Sequence, residues 1–200
     1  MHMLNFLRSD YYWLDLLVGF ASPVIFFALR RRGAAGRRDW RLFWLGAALG
    51  LLWEVPVFLF STLSTTPVIV WVRALPAPYP IFLLAHTFWD GALFVIGSWA
   101  LGFFFGAPIA SRFRWAELAA LIAWGQATSF AVELSSVLND GWVYVAGYWW
   151  NPTLFRIAAR PITLLPQIPW LLAPVVFYLA AIKITAASGA RQLDNAARNV

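Results

Sequence analysis

The sequence predicts an all-α integral membrane protein, folded as a bundle of five transmembrane helices, and three observations lead to this fold class. The chain has 200 residues and is 62% hydrophobic and only 12% charged. A soluble domain is about half apolar and about a quarter charged. The apolar residues form five long blocks, and arginines concentrate in alternate connections between them.

The five predicted spans are long enough, at about 1.5 Å per residue, to cross about 30 Å of hydrocarbon. They cover residues 11–29, 42–60, 79–105, 115–138 and 162–184. Helix is expected because lipid cannot satisfy the unpaired backbone groups at a sheet edge. Residues 1–186 then form a single five-span transmembrane domain, followed by a polar cytoplasmic tail at 187–200.

The arginine distribution predicts the orientation of the chain. The connection after the first span is the most basic, with Arg30, Arg31, Arg32, Arg37, Arg38 and Arg41. The connections on the other side hold only Arg73, Arg156 and Arg160. The positive-inside rule therefore places the N-terminus outside and the C-terminus inside. We expect a multi-pass protein of the bacterial inner membrane, or of the endoplasmic reticulum in a eukaryote.

The connections on the outer side, 61–78 and 139–161, are rich in proline, glycine and aromatic residues. We expect both to be structured, and to lie on the membrane surface or fold over the bundle. The chain has no cysteine, which excludes a disulfide framework and a cysteine nucleophile. The net charge of +6 comes from the loops, so it indicates topology and not a nucleic-acid partner.

Several polar residues lie deep in the predicted spans. A charge at the bilayer centre costs about 2.5–3.5 kcal/mol on insertion scales, so such residues normally face the interior of a bundle. The helical rise puts most of them at a similar level, about 18–28 Å from the inner edge. We therefore expect one shared cavity. The deep residues are Glu54, His86, Asp90, Gln126, Glu133 and Gln167.

Two further carboxylates, Asp15 and Glu117, lie near the ends of their spans. We expect both to reach the lipid headgroups. His86 and Asp90 are four residues apart and so share one helix face. In an apolar cavity we expect at least one of the clustered carboxylates to be protonated at neutral pH, as a general acid must be.

Tryptophans near the same level could form walls for the cavity. Tryptophan faces stabilise cations, so an acid, a base and tryptophan walls suit carbocation chemistry on an isoprenoid or sterol. The alternative is that the polar residues only pin helices together and that the tryptophans are interfacial anchors. The tryptophans concerned are Trp53, Trp89, Trp142, Trp149, Trp150 and Trp170.

The sequence does not indicate a metal site or another cofactor. Only one histidine is deep, and no histidine-box spacing accompanies it. Ser135 and Ser136 lack the elbow context of a hydrolase nucleophile.

Spans two to five resemble the emopamil-binding-protein or EXPERA family, which includes the sterol Δ8–Δ7 isomerases. LGLLWEVPVFLF resembles the family helix with a deep glutamate, here Glu54, and HTFWDGALFVIGSWALGFF resembles the next helix, whose acidic residue aligns near His86 or Asp90. WGQATSF is similar to a Gly-Gln pair there, matching Gly125 and Gln126. PQIPWLLAPVVFYLAAIK matches an Asn, Trp and Pro pattern at Gln167, Trp170 and Pro174.

The chain departs from the family pattern at two positions. The isomerase histidine one turn before the glutamate is Gly50 here, and the asparagine is Gln167. The resemblance implies double-bond migration without a cofactor. Glu54 and Asp90 would be the acid and base and His86 a proton shuttle, with Glu133 and Gln167 orienting them. Trp170, Gln167, Gln126, Trp53 and Trp89 would bind the substrate.

Three other functions stay open. A membrane terpene cyclase would share the protonation step, a sterol- or lipid-binding protein would have no chemistry, and a transporter subunit or proton relay is the third. In the first two, as in an isomerase, the partner is a hydrophobic small molecule within membrane lipid. The spacing of Gly46 and Gly50 is typical of a helix-packing face, within the bundle or in a homodimer.

Overall fold

A computed structural model describes the backbone of residues 2–198 and the side chains of residues 10–187. Across that backbone the chain forms five helices and four short strands. The helices are α1 (His2–Arg31), α2 (Arg37–Leu63), α3 (Tyr79–Phe104), α4 (Trp115–Leu138) and α5 (Gln167–Arg198). The strands are β1 (Ile69–Trp71), β2 (Trp142–Tyr144), β3 (Thr153–Ile157) and β4 (Arg160–Thr163). Nearly all of the predicted tail, 187–200, lies outside the described side chains.

The helices confirm the prediction of a mostly helical membrane protein. Within the described residues, four segments are long and apolar enough to cross a bilayer: Asp10–Arg31, Arg37–Leu63, Tyr79–Phe104 and Gln167–Ala187. Helix α4 has the predicted boundaries but is not among these four. Its role as a fifth span stays a prediction.

The beginning of the last predicted span was wrong. Residues 160–163 form β4, which pairs with β3, and α5 begins only at Gln167. Two prolines explain the difference. Pro161 and Pro166 lack an amide hydrogen and disfavour helical geometry in the residue before them, so helix begins after the second of them.

Strands β1 and β2, which we call the lid, join the two connections at 61–78 and 139–161. They pair antiparallel, with Ile69 opposite Tyr144 and Trp71 opposite Trp142. A hydrogen bond connects the lid to the bundle. The hydroxyl of Tyr12 on α1 donates to the carbonyl of Gly141, the residue before β2, at 2.6 Å. The expectation that these connections are structured is confirmed.

Helix α3 is the centre of the bundle and packs against α1, α2 and α4, while α5 packs against α2 and α4. Glycines permit the close approach of α2 and α3. A Cβ atom at Gly91 would lie 2.8 Å from the Phe43 carbonyl oxygen, and one at Gly46 would lie 3.0 Å from the Phe94 side chain. Gly46 therefore packs within the chain, against α3.

The two ends of the bundle differ in character. The α1–α2 and α3–α4 connections form one end, which we call the arginine end, and the strands form the other, the strand end. Glu117 lies at the arginine end and is fully buried. It accepts hydrogen bonds from the Ala110 amide and the Tyr178 hydroxyl, both at 2.8 Å. The expectation that Glu117 reaches the headgroups was wrong, because its carboxylate is buried and accepts a hydrogen bond from the backbone of the α3–α4 connection.

Candidate functional site

A cavity of about 410 Å³ lies among α1, α2, α3 and α4, between the lid and the start of α5. Small-molecule sites usually have volumes of about 300–1,000 Å³. Its wall includes all four side chains that the sequence suggested for the catalytic group: Glu54, His86, Asp90 and Glu133. Three different helices supply these groups, so the fold brings them together although they are distant in sequence.

His86 is held between two carboxylates from two other helices. Its Nε2 atom lies 2.8 Å from Oδ2 of Asp15 on α1, and its Nδ1 atom lies 3.5 Å from Oε2 of Glu54 on α2. The indole nitrogen of Trp89 donates to the other Asp15 oxygen at 3.1 Å. Which ring nitrogen donates depends on the tautomer and protonation of the imidazole. The three side chains thus form a continuous path along the cavity wall.

The position of Asp15 differs from the one that the sequence suggested. We expected Asp15 at the outer end of its span, in reach of headgroups, but it lines the cavity and is bonded to His86 and Trp89. Helix α1 begins at His2, well before the apolar block. Asp15 is therefore roughly three and a half turns into the helix. An acidic residue this far from a helix end is the sequence signal that would have indicated that Asp15 lines the cavity.

Asp90 occupies the space that Gly50 leaves open on α2. A Cβ atom at Gly50 would lie 2.7 Å from Asp90 Cβ and would overlap its carboxylate. Asp90 has no hydrogen-bond partner among the described residues, although it lines the cavity. Gly50 therefore leaves a gap on α2 that a carboxyl group from α3 fills.

Glu133 is anchored by the segment that leads into α5. Its carboxylate accepts hydrogen bonds from the Thr163 amide at 3.0 Å and from the Gln167 side chain at 3.4 Å. The Gln126 amide group donates to the Gln167 carbonyl at 3.0 Å. Neither glutamine is on the described cavity wall. The structure thus places them as supports for Glu133 and for the start of α5, and not where a bound molecule would touch them.

Four of the tryptophans form part of the wall: Trp53, Trp89, Trp142 and Trp170. Trp170 is held by stacking on Phe94, with ring centroids 5.4 Å apart. The other two tryptophans considered above lie elsewhere. Trp149 is 93% exposed, and Trp150 stacks on Tyr148 at 4.9 Å.

Tyr144 of the lid is a wall residue that the sequence did not reveal. Burial raises the pKa of its hydroxyl well above the usual range, and the carboxylates of Glu54 and Glu133 raise that pKa further. Tyr144 therefore remains a neutral hydrogen-bond donor at physiological pH. Its role depends on the pairing of two distant connections, which three-residue strands do not reveal in a sequence.

The ionisable groups of the wall are mostly acidic. Four carboxylates and one imidazole line the cavity, and no lysine or arginine is among the lining residues that the structure describes. Among the described side chains, no three His, Cys, Asp or Glu residues are grouped so as to hold a metal ion. The arrangement can bind an apolar molecule and exchange protons with it.

The His86–Asp15 pair should show coupled effects on stability. We expect Asp15→Ala and His86→Ala each to lower the free energy of unfolding, because each leaves a buried polar partner unpaired. The double variant should lose less than the sum, since the second substitution removes a group that has already lost its partner. Thermal unfolding in detergent measures this coupling. Asp39→Ala combined with Asp15→Ala is the control and should be additive, and additivity in the Asp15–His86 pair would contradict the contact.

Comparisons of the chain with protein-family models, with curated proteins and with solved structures found no match. Function is therefore inferred from the residues of this cavity and from the chemistry that they permit.

Proposed function

We propose that this chain is a membrane-embedded enzyme that moves a double bond in a sterol or other isoprenoid lipid by adding and removing protons. The observation that carries the proposal is that one aromatic cavity contains both a carboxyl group without a hydrogen-bond partner and a path of linked ionisable side chains. Asp90 has no hydrogen-bond partner among the described residues, and the Asp15–His86–Glu54 path lies on the same wall. An acid and a base facing one apolar ligand are what proton transfer to and from carbon requires.

Asp90 is the proposed acid. No described side chain accepts its proton, so that proton is free for the ligand. The alkene electron pair forms a bond to this proton, which leaves a carbocation on the ligand and a carboxylate at Asp90. The indole faces of Trp53 and Trp170 stabilise the cation.

Glu54 is the proposed base. It takes a proton from a carbon next to the cation, and the electron pair of the broken C–H bond forms the new double bond. Glu54 contacts Nδ1 of His86, so a neutral imidazole protonated at Nε2 takes the proton at Nδ1 while its Nε2 proton passes to Asp15. The cycle closes when Asp90 regains a proton. Because one proton is added and one removed, the reaction is redox-neutral and requires no cofactor.

Two features support the isoprenoid class of substrate. The wall combines tryptophans with aliphatic side chains such as Leu14, Val18 and Leu93. The resemblance to sterol isomerases implies the same reaction, with the deep glutamate at Glu54 and the tryptophan at Trp170. A non-catalytic lipid-binding protein would use the same walls and differ only in lacking turnover.

We also propose that all five helices cross the membrane, with the N-terminus outside and the C-terminus inside. Helix α4 runs from the arginine end to the strand end and packs against both α3 and α5, which are apolar enough to span. Most arginines lie at the arginine end, which the positive-inside rule places in the cytoplasm.

Solvent deuterium tests the proposed reaction even when the product is not identified. The purified protein is incubated in D₂O with a Δ8-sterol or with neutral isoprenoid lipids extracted from membranes that contain it. We expect deuterium at carbon, detected by mass spectrometry. Asp90→Asn and Glu54→Gln should each lower the rate by about 10²–10⁴-fold, the usual contribution of a general acid or base. Ligand binding should largely remain.

The matched control is Asp39→Asn, another carboxylate-to-amide change. Asp39 accepts a hydrogen bond from the Gly36 amide at the start of α2, away from the cavity, and we expect the control to exchange at the normal rate. Full exchange in Asp90→Asn and Glu54→Gln would contradict the acid–base assignment. Binding without exchange in the natural chain would indicate the non-catalytic alternative.

Single cysteines test the proposed topology, because the chain has none of its own. We expect a membrane-impermeant maleimide added to intact cells or spheroplasts to label Trp149→Cys at the strand end, and not Ala34→Cys at the arginine end. After lysis both should react, since both positions are exposed. The opposite pattern would invert the orientation, and labelling of both before lysis would contradict an odd number of spans.

A further inference from the structure

The cavity wall is covered unevenly around its circumference. The wall residues of the lid, Trp142 and Tyr144, are each only 5% exposed. Of the described side chains that line the cavity, four are exposed, and all four belong to α1 or α4: Val18, Ala131, Val132 and Ser135. We call the gap between these residues the α1–α4 opening. The cavity is therefore covered by the lid and open at its side.

The packing of the helices explains the position of this opening. Helices α1 and α4 both lie against α3, but they are not among the described helix pairs that pack closely on each other. Helix α1 approaches α3 at Gly19, where a Cβ atom would lie 2.7 Å from the Ala85 Cβ. Helix α4 is held to α3 by a hydrogen bond from the Trp124 indole nitrogen to the Leu93 carbonyl at 3.0 Å. Because each helix has its own contact with α3, a gap between them does not disturb the bundle.

The gap between α1 and α4 is closed at the strand end. A Cβ atom at Gly141 would lie 2.5 Å from Cε1 of Tyr11 on α1 and 2.6 Å from Oγ of Ser136 on α4, so the two helices meet around this glycine. Val18 lies roughly two turns further along α1 than Tyr11, and Val132 lies about one turn before Ser136 on α4. The opening is therefore on the arginine-end side of this contact, within the length of the bundle.

The surroundings of the opening are those of a membrane interior. Val18 belongs to the apolar segment Asp10–Arg31, about 12 Å from its first residue and about 20 Å from its last. Three of the four exposed residues of the opening are apolar, and Ser135 is the residue of α4 nearest to the strand end among them. An exposed side chain in the middle of such a segment contacts lipid acyl chains and not water. A molecule that leaves the cavity through the opening therefore enters hydrocarbon.

We propose that the α1–α4 opening is the entrance of the cavity, through which an apolar ligand passes sideways between the bilayer and the acid–base groups. This route avoids the exposure of apolar surface to water, which costs about 25 cal/mol per Å². The lid is then a fixed cover, in agreement with its strand pairing and with the hydrogen bond from Tyr12 to Gly141. This inference rests on the proposed function, because it names the route by which the substrate reaches the same site.

Nitroxide spin labels test whether the opening faces lipid. They are attached to Val18→Cys or Val132→Cys, since the natural chain has no cysteine, in vesicles of phosphatidylcholine and phosphatidylglycerol. Oxygen concentrates in hydrocarbon, whereas a nickel chelate stays in water. We expect oxygen to relax both labels more strongly than the chelate does, as at Val24→Cys, an exposed position of α1 that is not on the cavity wall. Stronger relaxation by the chelate at either opening position would overturn the inference.

Trapping of the ligand tests whether the opening is the passage. The variant with both Val18→Cys and Val132→Cys is loaded with a Δ8-sterol or with neutral isoprenoid lipids from membranes that contain the protein. Benzyl methanethiosulfonate then adds a bulky group at each cysteine, and the protein is washed in detergent. We expect the modified variant to retain lipid that the unmodified variant releases, and dithiothreitol to release it. Modification before loading should instead cause loss of lipid uptake and of deuterium exchange, which the same reductant restores.

The matched control carries the same two changes at Val24 on α1 and Val176 on α5. These valines are 66% and 51% exposed and are not on the cavity wall, so modification should alter neither retention nor uptake. Equal release from the modified and unmodified opening variant, or expulsion of the bound lipid by the reagent, would overturn the inference and leave the proton chemistry standing. If the natural chain holds no lipid and exchanges no deuterium, the proposed function is wrong, and the spin labels still test the opening.

Discussion

The structure depends on one constraint, which is that charged groups inside an apolar bundle must satisfy one another. His86 meets it by lying between Asp15 and Glu54, and it thereby connects α3 to α1 and α2. Glu133 meets it through the backbone amide of Thr163, which fixes the segment before α5. The same contacts that join the helices therefore also shape the cavity.

Asp90 and Tyr144 are the exceptions to this constraint. Neither side chain has a hydrogen bond within the described residues, and both line the cavity. Their positions are nevertheless fixed, Asp90 by the gap at Gly50 and Tyr144 by the pairing of β2 with β1. Both side chains are therefore available to a molecule in the cavity, which supports the proposed proton chemistry at this site.

Much of the helical arrangement could be predicted from the sequence, because long apolar blocks determine helices in lipid. The meeting of Glu54, His86, Asp90 and Glu133 in one cavity followed from their similar depth. The missed features depend on long-range contacts. The place of Asp15 in the cavity could be predicted only with the true start of α1. The hydrogen bonds of the Gln126 and Gln167 amides depend on the path of the chain into α5. The position of Tyr144 depends on a strand pairing between connections about 70 residues apart.

Lipid mass spectrometry of the purified protein tests the central claim most directly, because it asks what fills the cavity. The account predicts one sterol or other isoprenoid lipid in stoichiometric amount with each chain. Recovery of bulk phospholipid alone, in natural proportions and without any enriched sterol or isoprenoid, would contradict it. The Asp15–His86–Glu54 path would then be a connection between helices and no more.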